Sequence, residues 1–275
     1  GYSFSTVKQT YNLLNEYFDY LMREEFIKKN PMNAVPTIKK SNYLAKQNKE
    51  VLPVCETITV FTDEEIEKFK AEAYKKYPSG KPKHNQASAY ILMLNTGLRT
   101  AEALGLINSD IDLEKKVMHI QRGVKEAQKR DGTERKSGRE IVVGKLKTAS
   151  SKRIVPLNET AIQAIIELRN ERYFGENAPL IPDADGNFTR PLNLRKRFYS
   201  ILDAAGIEKK GLHSLRHTFA TKLVTGVRTE DGTVKALTPR QVADLLGHTT
   251  SEITEMYYVK RNTDMLMGIT NEFEL

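Results

Sequence analysis

Apolar side chains at Val7, Tyr11, Leu14, Phe18, Leu21 and Met22 recur at spacings of three and four, so residues 6 to 29 read as an amphipathic helix. Asn30-Pro31 closes that pattern, because the residue before a proline avoids the helical region. Residues 35 to 57 lose the periodicity. They carry Lys39, Lys40, Lys46 and Lys49 with Pro36 and Pro53, which predicts a basic linker. A new pattern starts near Ile58. Thr62 and Glu65 are spaced as a capping box, and Ile66, Phe69 and Ala73 continue one apolar face. Pro78, Gly80 and Pro82 mark a loop. Residues 86 to 95 read as a second helix, stopped near Gly97, and Thr100 as the cap of a short third helix carrying Glu102 and Leu104. Arg99 falls at the corner between these two helices, with Leu94, Leu98 and Leu104 holding the corner in the core.

Residues 111 to 124, 140 to 143 and 153 to 157 alternate as strands, which predicts one small antiparallel sheet. Residues 159 to 172 form an amphipathic helix with Ile162, Ile165, Ile166 and Leu168 inward. Residues 193 to 205 form another, closed by Gly206, with Arg195, Lys196 and Arg197 turned to DNA or to solvent. A helix from His213 uses Phe219, Ala220 and Leu223 as its core side. Residues 226 to 237 are a polar, hairpin-like loop. Thr238-Pro239 then opens a helix with Val242, Leu245 and Leu246 inward, and Gly247 ends it and presents His248. The expected class is α+β, mainly α with a small antiparallel β-sheet. Two domains are expected, a helical unit with its linker over 1–50 and a larger one over 58–275.

Composition changes this picture in three respects. The chain has 275 residues with 43 Lys and Arg against 35 Asp and Glu, a net +8 that favours a polyanionic partner. Between 115 and 153 stand thirteen Lys or Arg against four Asp or Glu, so the surplus is concentrated on this stretch, read as a β-hairpin next to Lys147, and the rest is close to neutral. The single Cys55 excludes an internal disulfide and fits a reducing, cytoplasmic compartment. No apolar run approaches the ~20 residues that span a bilayer, and no secretory signal opens the chain. The sequence opens mid-pattern at Gly1, which leads us to expect an earlier part of the chain.

The chemistry concentrates between His213 and Tyr258. His213 and Arg216 form a His-x-x-Arg box, Leu246-Gly247-His248 follows, and Tyr257 stands nine positions after His248. Arg forks hydrogen bonds onto phosphate oxygens, His trades a proton near neutral pH, and a Tyr oxygen can attack phosphorus. His84, His119 and His217 have no ligand spacing with Cys or carboxylates, so neither a metal nor another cofactor is expected. Upstream, Thr96-Gly97-Leu98-Arg99 adds a second Arg, and Lys147 precedes Arg153-Ile154-Val155-Pro156-Leu157.

These five boxes, in this order, resemble the tyrosine recombinases, the integrases of phages and mobile elements. The likeness runs from about residue 58 to 270, and the helix ended by Asn30-Pro31 resembles the end of that family's helical core-binding domain. The resemblance implies that Tyr257 attacks a phosphodiester of duplex DNA and leaves a 3′-phosphotyrosyl link. It implies Arg99 and Arg216 on the non-bridging oxygens, Lys147 as general acid, His213 assisting proton transfer, His248 on the phosphate, and Glu102 propping the site. Tyr258 is the rival nucleophile; side chains one residue apart on a helix point about 100° apart, so only one can be in line. Lys145, Lys152, Arg153, Lys39 and Lys40 are the expected DNA contacts. The implied partners are double-stranded DNA at element ends and targets, further copies of the chain as dimer and tetramer, and an excisionase or host DNA-bending protein. The implied setting is the bacterial cytoplasm, at the nucleoid. Two alternatives stay open, a type IB topoisomerase and a non-catalytic DNA-binding protein. An insertion around 129 to 139 reads equally as extra DNA contact or as a surface loop. The apolar tail after Tyr258, with Met265, Leu266, Ile269 and Phe273, docks on a neighbouring subunit or on its own domain.

Overall fold

The computed structural model describes residues 2–45, 58–131, 134–145, 152–228 and 234–247. The chain divides into two compact units, Gly1–Thr57 and Ile58–Leu275.

In the first unit, helix α1 (Phe4–Arg23) starts at Ser3, whose hydroxyl accepts the Thr6 N–H at 3.1 Å. The helix is shorter than the apolar spacing predicts. Glu25 takes φ 60, and the Phe26 and Glu25 amides turn back to the Leu21 and Met22 carbonyls. That geometry terminates a helix whether or not the left-handed residue is glycine. Asn30 starts the next turn instead of ending α1. Its side-chain oxygen accepts the Met32 N–H at 2.8 Å and opens a 3₁₀ turn, Pro31–Ala34, while its amide donates to Asp19 at 2.7 Å and ties that turn to α1. The segment expected as linker contains a short helix, α2 (Lys40–Ala45), whose Tyr43 hydroxyl donates to the Tyr2 carbonyl at 2.7 Å. No residue of α1 is fully buried, and Leu13, Tyr17 and Tyr20 are exposed.

The second unit is built around α4 (Ser88–Thr96), which packs against α6 (Glu159–Glu171) on one side and α8 (His213–Thr225) on another. Tyr90, Ile91, Leu92 and Met93 of α4 are at most 1% exposed, so this helix is buried all round. Helix α3 (Asp63–Ala73) opens with the capping box, Thr62 and Glu65 each accepting the other's amide. It lays Phe69 against Phe198 of α7 (Pro191–Ala205), with ring centroids 5.6 Å apart. On α6 the buried positions are Ala161, Ala164, Ile165 and Leu168; Ile166 lies outside that stripe and is exposed, contrary to expectation. Arg197 also departs from expectation, since its guanidinium turns back to the Gln86 side chain.

The β structure divides into more pieces than one sheet. Strands β1 (Ile111–Asp112), β2 (Val117–Ile120) and β5 (Arg153–Pro156) make an antiparallel sheet in the order β1-β2-β5. Strands β3 (Arg122–Asp131) and β4 (Glu134–Lys145) form a separate long hairpin with an irregularity between Gln128 and Arg130. The insertion around 129 to 139 lengthens this hairpin. A third pair, β6 (Val227–Arg228) and β7 (Val234–Lys235), lies between α8 and α9 (Pro239–Leu246). Phe219 and Leu223 of α8 pack with Val242 and Leu246 of α9 in a small second core. Among the described residues, no helix is long and apolar enough to cross a membrane.

Candidate active site

Three helix ends converge at one point of the second unit: the C-terminus of α4, the N-terminus of α5 (Thr100–Gly105) and the C-terminus of α9. Gly97 makes this possible. It takes φ +64, and a Cβ there would come within 2.5 Å of Phe219 and 2.6 Å of Leu246, so a left-handed turn and a close approach both require glycine. The turn leaves Arg99, rather than Thr100, in the N-cap position of α5.

Glu102 is the hub. It is 2% exposed, and its carboxylate accepts the Arg99 backbone N–H at 2.9 Å and Arg99 Nη1 at 2.7 Å. Arg153 reaches the same carboxylate with Nη1 at 3.2 Å and Nη2 at 3.0 Å, and Arg216 Nη1 lies 3.9 Å away. Burial opposes ionisation of Glu102, but the bonds and charge of Arg153 and then of Arg99 outweigh it and hold its carboxyl below the usual range. Glu102 thus stands among three guanidiniums, those of Arg99, Arg153 and Arg216.

The three cations differ in what they can reach. Arg99 is 35% exposed along its side chain and is the open one. Arg216 is enclosed; its Nη1 donates to the Gly97 carbonyl and its Nη2 to the Leu246 carbonyl, both at 2.7 Å. Arg153 departs from its expected role as a surface DNA contact. Its side chain is 7% exposed and turns inward, with Nε on the Leu245 carbonyl at 2.8 Å. The strand period carries the signal for this. Arg153 and Val155 share a face of β5, Val155 is buried and Ile154 points out.

His213 opens α8, and its ring meets the ring of His217, one turn on, edge to face with centroids 4.6 Å apart. His213 is exposed at its surface but crowded by protein around it. That crowding, with His217, Arg216 and Arg99 nearby, pushes its pKa down to about 4 against the opposing pull of Glu102. His217 is lowered by burial and by Arg216. Both rings are therefore neutral at pH 7, and a neutral imidazole can accept a proton. Nothing in the sequence spacing distinguished His217 from a packing residue.

Arg99, Glu102, His213, Arg216 and Arg153 thus meet at one place. Lys152 is exposed just before β5, and Lys145 is the last residue of β4. Lys39 and Lys40 are exposed in the first unit. Lys147, His248, Tyr257, Tyr258 and the tail after it lie outside the described residues. The basic surplus of 115 to 153 is partly spent within the protein. Lys115 pairs with Asp112, Lys116 with Glu159, Arg122 with Asp110 and Arg139 with Glu126. Among the described residues no group of three or more His, Cys, Asp or Glu could hold a metal ion.

The model of the phage integrase family matches residues 59–264. A tyrosine recombinase XerC-like protein of Caldanaerobacter subterraneus subsp. tengcongensis is 31% identical over 271 residues, covering 94% of this chain and 63% of that protein. The transposase from transposon Tn916 of Enterococcus faecalis is 24% identical over 98% of this chain and 61% of its own length. The chain therefore spans under two thirds of either relative. Among solved structures, the Tn1549 transposon integrase in complex with circular intermediate DNA superposes with TM-score 0.71 at 20% identity, covering 99% of this chain and 81% of that one. A lambda integrase dimer bound to a COC′ core site gives 0.59 at 15% identity, covering 94% and 60%. These likenesses establish a shared fold.

Proposed function

The chain belongs to the phage integrase family, and we propose that it is a site-specific DNA recombinase of a mobile element, cutting and rejoining duplex DNA for integration and excision. The observation that carries this is the cluster in which buried Glu102 gathers Arg99, Arg153 and Arg216 beside a neutral His213. A phosphodiester has one negative charge and its pentacoordinate transition state two. Guanidiniums fixed in place beforehand stabilise the added charge more than the single charge of the ground state, so they favour the transition state.

The Tyr257 oxygen attacks phosphorus as the bond to the 5′-oxygen breaks. The phenol proton passes to His213, and Lys147 protonates the departing 5′-oxygen. His248 hydrogen-bonds the phosphate. The product is a 3′-phosphotyrosyl ester and a free 5′-hydroxyl. Because the ester replaces one phosphodiester bond with another, attack by a second strand's 5′-hydroxyl reverses the step without ATP.

Duplex DNA at element ends and targets is the proposed substrate, in the bacterial cytoplasm. The transposon relatives and the DNA complexes of the Tn1549 and lambda integrases support that reading. Assembly into a dimer and a tetramer synapse is part of the proposal. It is supported by the lambda integrase dimer on its core site and the tetramer on a Holliday junction.

The test uses a nicked suicide duplex carrying an element end. The parent protein and its Tyr258→Phe variant form a covalent band on a denaturing gel, and Tyr257→Phe binds the DNA but forms none. An adduct from Tyr257→Phe sinks the assignment of the nucleophile. Joint molecules between two separate DNA sites distinguish recombination from relaxation alone.

A further inference from the structure

Arg153 opens β5, where its Cα pairs with Ile120 of β2. Its side chain leaves the sheet on the buried face and ends between two other parts of the unit. Nη1 and Nη2 take the Glu102 carboxylate at 3.2 and 3.0 Å. Nε takes the Leu245 carbonyl at 2.8 Å. Glu102 in turn holds both ends of Arg99.

The Leu245 contact has its own logic. The last carbonyls of a helix lack partners within it, and a cation at a helix C-terminus is favoured by the aligned peptide dipoles. In α9, Gly247 turns left-handed at φ 65 and its N–H caps the carbonyls of Ala243 and Asp244. The Leu245 and Leu246 carbonyls are taken by Arg153 Nε and Arg216 Nη2. Two guanidiniums therefore fix the end of α9, and His248 follows Gly247 in the chain. On its other side, Arg153 is joined through Lys152 to the segment that carries Lys147.

From this geometry we propose that Arg153 is a positioning residue for phosphoryl transfer. It orients Glu102, and through it Arg99, and it anchors the end of α9 from which His248 continues, without touching the phosphate itself. The proposal rests on the recombinase reading above. It adds to that reading a residue whose charge is spent inside the protein.

Arg153→Lys keeps a cation but cannot place two donors on Glu102 and a third on Leu245. The experiment compares it with the parent under single turnover at saturating suicide DNA, recording rate constant and amplitude separately, with affinity measured over a range of salt. We expect the rate constant to fall by about 30–100-fold, with the affinity and the slope of log affinity against log salt unchanged. A residue needed only for folding would lower the amplitude and leave the rate constant of the remaining active molecules intact. Arg153→Gln, which introduces no buried ammonium, provides the same readout.

The decisive comparison is in an Arg99→Ala background. If Arg153 acts mainly through Arg99, Arg153→Lys there slows cleavage by less than about 5-fold, because contacting residues on one path are not additive. The full penalty repeated in that background and again in a His248→Ala background overturns the proposal, because Arg153 would then act through neither route. So does a salt slope reduced by about 1 with the rate constant intact, which would make Arg153 a phosphate contact. A parent protein that forms no adduct refutes the recombinase reading; a parent that cleaves beside an Arg153→Lys protein of equal rate refutes this inference alone.

Discussion

Glu102 holds Arg99 at both ends, accepting its backbone N–H at 2.9 Å and its Nη1 at 2.7 Å. The bond to the backbone fixes where α5 begins, and the bond to the guanidinium fixes where the side chain goes. Glu102→Gln keeps the shape and removes the negative charge around which the three guanidiniums gather. Removing one partner of a buried ion pair costs about 3–5 kcal/mol. Chemical denaturation should report a loss of that order, and suicide-DNA cleavage should slow more than binding weakens. A stability equal to the parent's would mean that the cluster is solvated.

Arg99 is the open guanidinium of the site, so its planar fork is the one most accessible to a phosphate. Arg99→Lys retains a charge and loses the planar fork. Cleavage should fall by roughly 10²-fold or more, with DNA affinity nearly unchanged. A single-turnover rate matching the parent's would leave Arg99 a surface residue.

Lys147 is tested through its leaving group. A general acid matters most when the departing oxygen must be protonated, and sulfur at the bridging 5′ position leaves as a thiolate unaided. Lys147→Ala should cleave ordinary DNA ~10²–10⁴-fold more slowly and recover toward the parent rate on the bridging phosphorothioate. Arg99→Ala should recover much less. Equal recovery in both would assign the acid elsewhere, with Lys145 and Lys152 the next candidates.

His213 links the site to pH. Its folded pKa, about 4, lies below the ordinary histidine value of 6.5. The unfolded chain therefore takes up a proton that the folded chain refuses as pH falls through that window. The contribution to stability is fully present above about 6.5 and is lost progressively toward pH 4. In the parent, the urea midpoint should drop between pH 7 and pH 5, and His213→Gln should flatten that slope. Bound DNA brings negative charge to the ring, so His213 should titrate at higher pH in the complex. An NMR titration that places free His213 near 6.5 would defeat this reading.

The sequence showed its helices wherever capping chemistry and apolar spacing coincided, as at Thr62 with Glu65 and at Thr238-Pro239. It overran at α1, because the left-handed turn at Glu25 is made by a residue with no preference for it. The β-region was legible as strands but not as separate sheets, since which strand pairs with which depends on long-range register. Arg99, Glu102, His213 and Arg216 were legible as boxes. Arg153 was named for its charge, whereas its alternation with Val155 already placed it on the inner face. The ring contact of His213 with His217 and the carbonyls of Gly97, Leu245 and Leu246 carry no residue-type signal, because backbone oxygens are the same at every position.

Helix α4 has eight buried residues out of nine and ends on Gly97, two positions before Arg99. A helix enclosed on all sides cannot slide to absorb a change in length. One residue added within it would turn everything beyond by about 100° and advance it by about 1.5 Å, carrying Arg99 away from Glu102's neighbours. Insertions compatible with the site are therefore confined to places such as the 75–85 loop and the β3–β4 hairpin. Gaps in an alignment of distant relatives should collect there and leave the stretch from Ser88 to Glu102 unbroken.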